Sequence, residues 1–177
     1  MDEFNTYEYG AEQKAEGKWR IIKISVLLGY ILLVAAYFVF LYAIRIIPLF
    51  AITPIWLWIL CHFTWRYTKP DYRYFIEKGT FAFFIFYGKK SKSEKTKFMI
   101  SSADAIAPAA ELEEKIREFS PTHVYSAVPS EKAQDVYAAL YTDNRGKKCV
   151  IYFVATSSAL KLLHFYNSRT VVTKTVV

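Results

Sequence analysis

Cysteine is scarce in this chain of 177 residues: Cys61 and Cys149 are the only two, far apart, with no CxxC motif and no Cys/His pair at metal-ligating spacing. No disulfide framework can be read from such a pattern, and zinc is left without a ligand set. Both thiols read as reduced and structurally inert. The chain also lacks a GxGxxG loop, a P-loop, an HExxH helix and a GxSxG elbow, the short motifs that position phosphates, metals or nucleophiles. Histidine occurs only as His62, His123 and His164, none with a carboxylate or cysteine at a spacing that implies contact. Without a nucleophile, a tuned base and a shared pocket, the expectation is a protein that is not an enzyme and takes no cofactor or metal.

Charge is missing from two long stretches. Ile24–Ile44 is 21 residues without a charged side chain, Ile46–Trp65 is 20 more, and only Arg45 separates them. The apolar fraction of 54% exceeds the usual 45–50% or so, and these runs account for the excess. A helix of about 20 apolar residues crosses the hydrocarbon core of a bilayer, so each run reads as a span and the pair as a tight hairpin. The first run is too long for a signal-peptide core and follows Asp2, Glu3, Glu8, Glu12 and Glu16, so it reads as retained. Pro48 sits where the second helix would begin; Pro54, deeper, would kink that helix or shift its start by a turn. Tyr30, Tyr37 and Tyr42 read as packing between the two helices, and His62 as a residue near headgroup level.

Lys14, Lys18, Arg20 and Lys23 precede the hairpin, and Arg66, Lys69, Arg73 and Lys78 follow it. Basic residues stay on the cytoplasmic side, so both termini are expected there, in the cell membrane.

Beyond residue 66 the periodicity changes. DYRYFIEKG (71–79) alternates Tyr72, Tyr74 and Ile76 against Asp71, Arg73 and Glu77, a half-buried strand. TFAFFIFYG (80–88) is too short to span and suits a strand covered on both faces. KTKFMIS (95–101) would pair with it beyond a lysine-rich loop. Pro108, the acids Glu111, Glu113 and Glu114, and apolar Leu112, Ile116 and Phe119 mark a helix. HVYSAV (123–128) is a short strand, and Asp143-Asn144-Arg145-Gly146 turns a hairpin. A helix over 157–167, capped by Ser157 or Ser158, closes the chain, and 168–177 is a last strand or a frayed end. The fold class expected is a membrane α-helical hairpin plus an α+β domain: an antiparallel sheet or partial barrel closed by a C-terminal helix. The boundaries are 1–18 for a cytoplasmic segment, 19–66 for the hairpin and 67–177 for a cytoplasmic pleckstrin-homology-like domain.

Three stretches, DYRYFIEKGTF with YGKKSKSEKTKF, AIAPAAE (105–111) and GKKCVIYFVATSSALKLLHFYN, resemble a family of small clostridial-type membrane proteins. In that family two N-terminal spans precede a bacterial pleckstrin-homology-like domain. The resemblance covers about residues 1–170 and implies fold and topology, with no activity attached. The family carries polar or acidic residues more often where this chain has Phe81, Phe83 and Phe84, and its basic hairpin is richer in arginine.

The strongest charge feature is GKKSKSEKTK (88–97). It reads either as a solvated hairpin loop whose lysines discourage edge pairing or as a contact for anionic headgroups through Lys89, Lys90, Lys92, Lys95 and Lys97. A nucleic-acid partner is not expected, because stacking needs exposed aromatics and Phe81 to Tyr87 read as buried. The function expected is a non-catalytic membrane protein presenting a scaffold or interaction domain to the bilayer, its anionic lipids and a protein partner. The alternative is an accessory subunit of a membrane transporter or channel assembly, built around Gly29, Ala35, Ala36 and His62.

Overall fold

A computed structural model describes residues 6–14, 16–45, 51–87, 91–130 and 133–172; for Lys18 and Arg66 it describes the backbone alone. The chain divides into two compact units, residues 14–70 and residues 1–13 with 71–177.

The first unit is helical. Helix α1 (Gly17–Ile44) ends where Arg45 turns left-handed, φ 59°, with its N–H donating to the Tyr42 carbonyl. Its stretch Trp19–Ile44 has a mean hydropathy of 2.6 and is the one described helix long and apolar enough to cross a membrane. The second expected span is shorter. Helix α2 covers Thr53–Trp65, about 20 Å at 1.5 Å per residue against about 30 Å of hydrocarbon. Pro54 explains the late start: it has no N–H to give, so it sits in the first turn, where none is needed. Pro48 lies outside the described residues.

The helices run antiparallel: the Tyr30 hydroxyl bonds that of Thr64, and seven residues on, the Tyr37 ring meets Trp56 edge-on at 5.0 Å. Tyr42 does not join this packing; it is 84% exposed. His62 stacks on Trp58 at 5.6 Å.

The second unit is two four-stranded sheets around one core. Strands β1 (Thr6–Glu12), β2 (Pro70–Glu77), β3 (Thr80–Tyr87) and β4 (Ser91–Met99) form the first sheet in that order. The second contains β5 (Ala103–Pro108), β6 (His123–Ala127), β7 (Val136–Thr142) and β8 (Lys148–Val154), in the order β5-β7-β8-β6. Helix α3 (Glu113–Phe119) links β5 to β6, and α4 (Ser157–Tyr166) follows β8. Neither sheet closes into a barrel: each keeps two edges among the described strands.

The core comes from alternation. Tyr72, Tyr74 and Ile76 of β2, Phe81 and Phe83 of β3, and Phe98 of β4 face Ile106, Tyr137, Tyr141, Ile151 and Phe153 of the second sheet, with Ala159 and Leu163 of α4 closing one side. Tyr74 is fully buried, sandwiched by Phe81 at 5.1 Å and Tyr9 at 5.2 Å, and its hydroxyl donates 2.8 Å to the Val154 carbonyl. Burial pushes its pKa well above the usual phenol range. The β2–β3 turn is Lys78-Gly79, both left-handed at φ 48° and 76°, the pairing a two-residue hairpin favours. A side chain at 79 would also meet the Tyr166 ring at 3.1 Å.

Four expectations change here. Residues 1–18 are not one separate segment, since Thr6–Glu12 forms an edge strand antiparallel to β2, pairing Thr6 with Glu77 and Glu12 with Asp71. The helix expected to start near Pro108 starts later: 103–108 is strand β5, and α3 begins only at Glu113. The sheets are not all antiparallel, because β6 runs parallel to β8. The cap of α4 is Thr156, whose hydroxyl accepts from the Ala159 N–H, rather than Ser157 or Ser158. Val171 bridges to Ile106, and 173–177 lies outside the described residues.

Candidate functional site

The lysine run is strand rather than loop from Ser91 onward. Lys92, Lys95 and Lys97 are all exposed, while Lys89 and Lys90 lie outside the described residues. Simple alternation would set Lys92 on one face of β4 and Lys95 with Lys97 on the other. A bulge changes that. Phe86 pairs with Lys92 and Phe84 with Glu94, but Phe83 pairs with Thr96, so Lys95 has no opposite residue. One extra residue resets the alternation, and Lys97, opposite Ala82, returns to the face of Lys92.

That face is the outer side of the first sheet, and it is aromatic. The Lys92 ammonium lies 3.8 Å from the Phe84 ring centre, 5.6 Å from Phe75 and 5.9 Å from Phe86. The Arg73 guanidinium lies 4.9 Å from Phe86. Each cation sits in the attractive field of a ring face. Arg73 is also held by Asp71, at 2.7 Å, and by Glu8, at 3.2 Å. The hydrogen bond it donates to Asp71, ahead of the attraction of both carboxylates, keeps its pKa above the ordinary guanidinium value. Lys92 has no such carboxylate among the described ion pairs.

An open cleft of about 510 Å³ runs along this face past Phe75, Glu77, Thr80, Phe84 and Lys97. A second, of about 710 Å³, lies where Lys95 and Thr96 approach Tyr125 and Arg145. Among the described lysines, Lys92 and Lys97 line the first cleft, while the bulge sends Lys95 to the second.

The possible catalytic side chains do not converge. In the parallel β6–β8 pair His123 stands opposite Cys149, but Cys149 is buried, and burial pushes its thiol pKa up. A thiol held protonated is a poor nucleophile. Its S–H donates to the Lys147 carbonyl, and the His123 Nε2 lies 3.4 Å from the Lys147 ammonium. His164 is exposed on α4. Among the described residues no three His, Cys, Asp or Glu side chains group to hold a metal ion.

Arg73, Phe75, Phe84 and Phe86 were not among the site residues expected from the sequence. A signal existed for two of them: in DYRYFIE, Arg73 and Phe75 alternate against Tyr72, Tyr74 and Ile76. Phe84 and Phe86 gave none, since β3 carries aromatic residues on both faces.

The chain belongs to the bacterial PH-like domain family DUF6106, whose pattern matches residues 1–173. The match takes in β1 and the apolar insert as well as the sheets. No curated protein and no solved structure matches it.

Proposed function

We propose that this PH-like protein is an integral scaffold of the cell membrane, crossing the bilayer twice and displaying its domain on the cytoplasmic side without catalysis. The observation that carries the reading is the pairing of Glu12 with Asp71. A chain that leaves a sheet after one strand and returns in the neighbouring one must end on the side it left. Any membrane crossings within residues 14–70 are therefore even in number. Helix α1 supplies one, and residues 46–65, without Asp, Glu, Lys or Arg, supply the return, with α2 as its later part.

Orientation follows from charge. Lys14, Lys18, Arg20 and Lys23 before the crossing, and Arg66, Lys69, Arg73 and Lys78 after it, oppose Arg45 in the turn. The domain then faces a negative leaflet, where each cation close to the surface contributes on the order of 1 kcal/mol. An impermeant maleimide tests the reading on Arg45→Cys and Asn144→Cys variants in intact cells. Arg45→Cys is expected to react from outside, and Asn144→Cys only after permeabilisation. Reaction of Asn144→Cys in intact cells overturns it.

A further inference from the structure

We infer that the domain meets the bilayer through one end of its first sheet, where Lys92 and Arg73 lie over Phe84 and Phe86, and that this end binds anionic headgroups while Lys97 stays out of the contact. The inference rests on the membrane reading above and adds where the leaflet is touched.

The topology of the sheet selects the end. Glu12 and Asp71, paired, are the points where the chain leaves and re-enters the sheet around the apolar insert. β3 doubles back from β2 through Lys78-Gly79, so its last residues return beside the start of β2, where Arg73 reaches the Phe86 ring. Phe86 then pairs with Lys92, and Tyr87 with Ser91. Glu12, Asp71, Phe86 and Lys92 thus lie along one end of the sheet, the end that carries both connections to the insert. Lys97 pairs with Ala82, four residues along β3 from the Phe86 that faces Lys92, about 14 Å away at the rise of an antiparallel strand.

Reach and chemistry agree with that end. Only Gln13 to Glu16 join β1 to α1, and four residues extend at most about 14 Å. A domain tethered so closely keeps the end bearing the tether near the headgroup layer. Aromatic rings flanked by Lys and Arg suit that layer, since the rings tolerate the apolar boundary and the cations meet lipid phosphates. Lys92, stacked on Phe84, still has N–H donors to offer. Arg73 is partly neutralised by Asp71 and Glu8, so Lys92 carries the larger share of the attraction, against Glu94, which bears the headgroups' own sign two residues along the same face.

The test places a photoreactive phenylalanine analogue at Phe86, at Phe165 on exposed α4, or at Leu32 in α1, in the full chain reconstituted into vesicles of phosphatidylcholine with phosphatidylglycerol. Lipid adducts are expected at 32 and 86 and not at 165. The yield at 86 should fall roughly fivefold with Lys92→Gln, the worth of one cation near an anionic surface, and fall again in pure phosphatidylcholine. Lys97→Gln should leave it unchanged. Adducts at 32 with none at 86, equal effects of the two lysine variants, or a crosslinked pair of chains through 86 each overturn the inference while leaving the membrane reading intact. Absence of lipid adducts at 32 overturns both.

Discussion

Helix α1 from Ile24 onward and strand β3 are both uncharged and mostly apolar, yet Leu32 on α1 is 69% exposed while Phe81 on β3 is fully buried. The difference lies in what each sequence gives its neighbours. β3 is flanked by β2 and β4, whose alternating side chains cover its inner face with Tyr72, Tyr74 and Phe98 and its outer face with Phe75 and Lys92. α1 is apolar around its whole circumference, and α2 covers one side only. A helix apolar all round needs a large protein core or a membrane to cover it. Composition alone treats the two segments alike; length and the periodicity of the neighbours separate them.

Substitution should break the symmetry most clearly in stability. Phe81→Ala empties a site among Tyr74, Phe98 and Phe153 and should destabilise the domain by about 3–5 kcal/mol. Leu32→Ala should leave the same unfolding transition, followed by circular dichroism of the full chain in detergent, within about 0.5 kcal/mol. Similar losses for both would show that α1 is packed against protein. The reverse experiment uses charge. Leu32→Arg puts a cation in the middle of α1, costing about 2.5–3.5 kcal/mol in a membrane, and should move the chain from the carbonate-resistant to the soluble fraction.

Tyr74 sharpens the comparison through pH. Its pKa is raised in the folded chain, first by burial, from an ordinary 10.0. The unfolded chain therefore releases that proton first. The contribution of Tyr74 to stability is complete below about pH 10 and is lost as pH rises toward the folded value. Tyr141, raised for the same leading reason, adds to the decline. The unfolding midpoint should drop above pH 10, and Tyr74→Phe should flatten that drop while costing about 1–3 kcal/mol at neutral pH by leaving the Val154 carbonyl without its donor. A slope unchanged by Tyr74→Phe would show that other groups govern it. The smallest effect is expected at Thr156, which caps α4 and bonds the Tyr7 hydroxyl. Thr156→Ala should cost about 1 kcal/mol, read as a shift of the same transition; no shift would mean the cap is replaced by solvent.

What the sequence revealed follows from how local each signal was. The apolar run of α1, the alternation of β2, the β7–β8 turn and the Leu160–Leu163 face of α4 are written in neighbouring residues, and they were legible. β1 was not, because its partner lies beyond the whole apolar insert and TYEYGAE alone shows only a short alternation. β5 was missed because Ala103–Pro108 is small and proline-ended, with no β-branched run to mark a strand. The parallel β6–β8 pairing has no local signature. The candidate site was half legible: the lysines stood out, but their sorting depends on one unpaired residue, Lys95, and on rings of β2 and β3 that composition assigned to a core.

The central claim is that the apolar insert is spliced between two paired strands, and a crosslink reads it directly. In a Glu12→Cys/Asp71→Cys chain carrying a protease site at residues 46–50, oxidation in the membrane followed by cleavage should leave the two fragments joined until reductant is added. Fragments that separate without reductant, as they should in the Glu12→Cys chain alone, would contradict the pairing and with it the two-crossing topology.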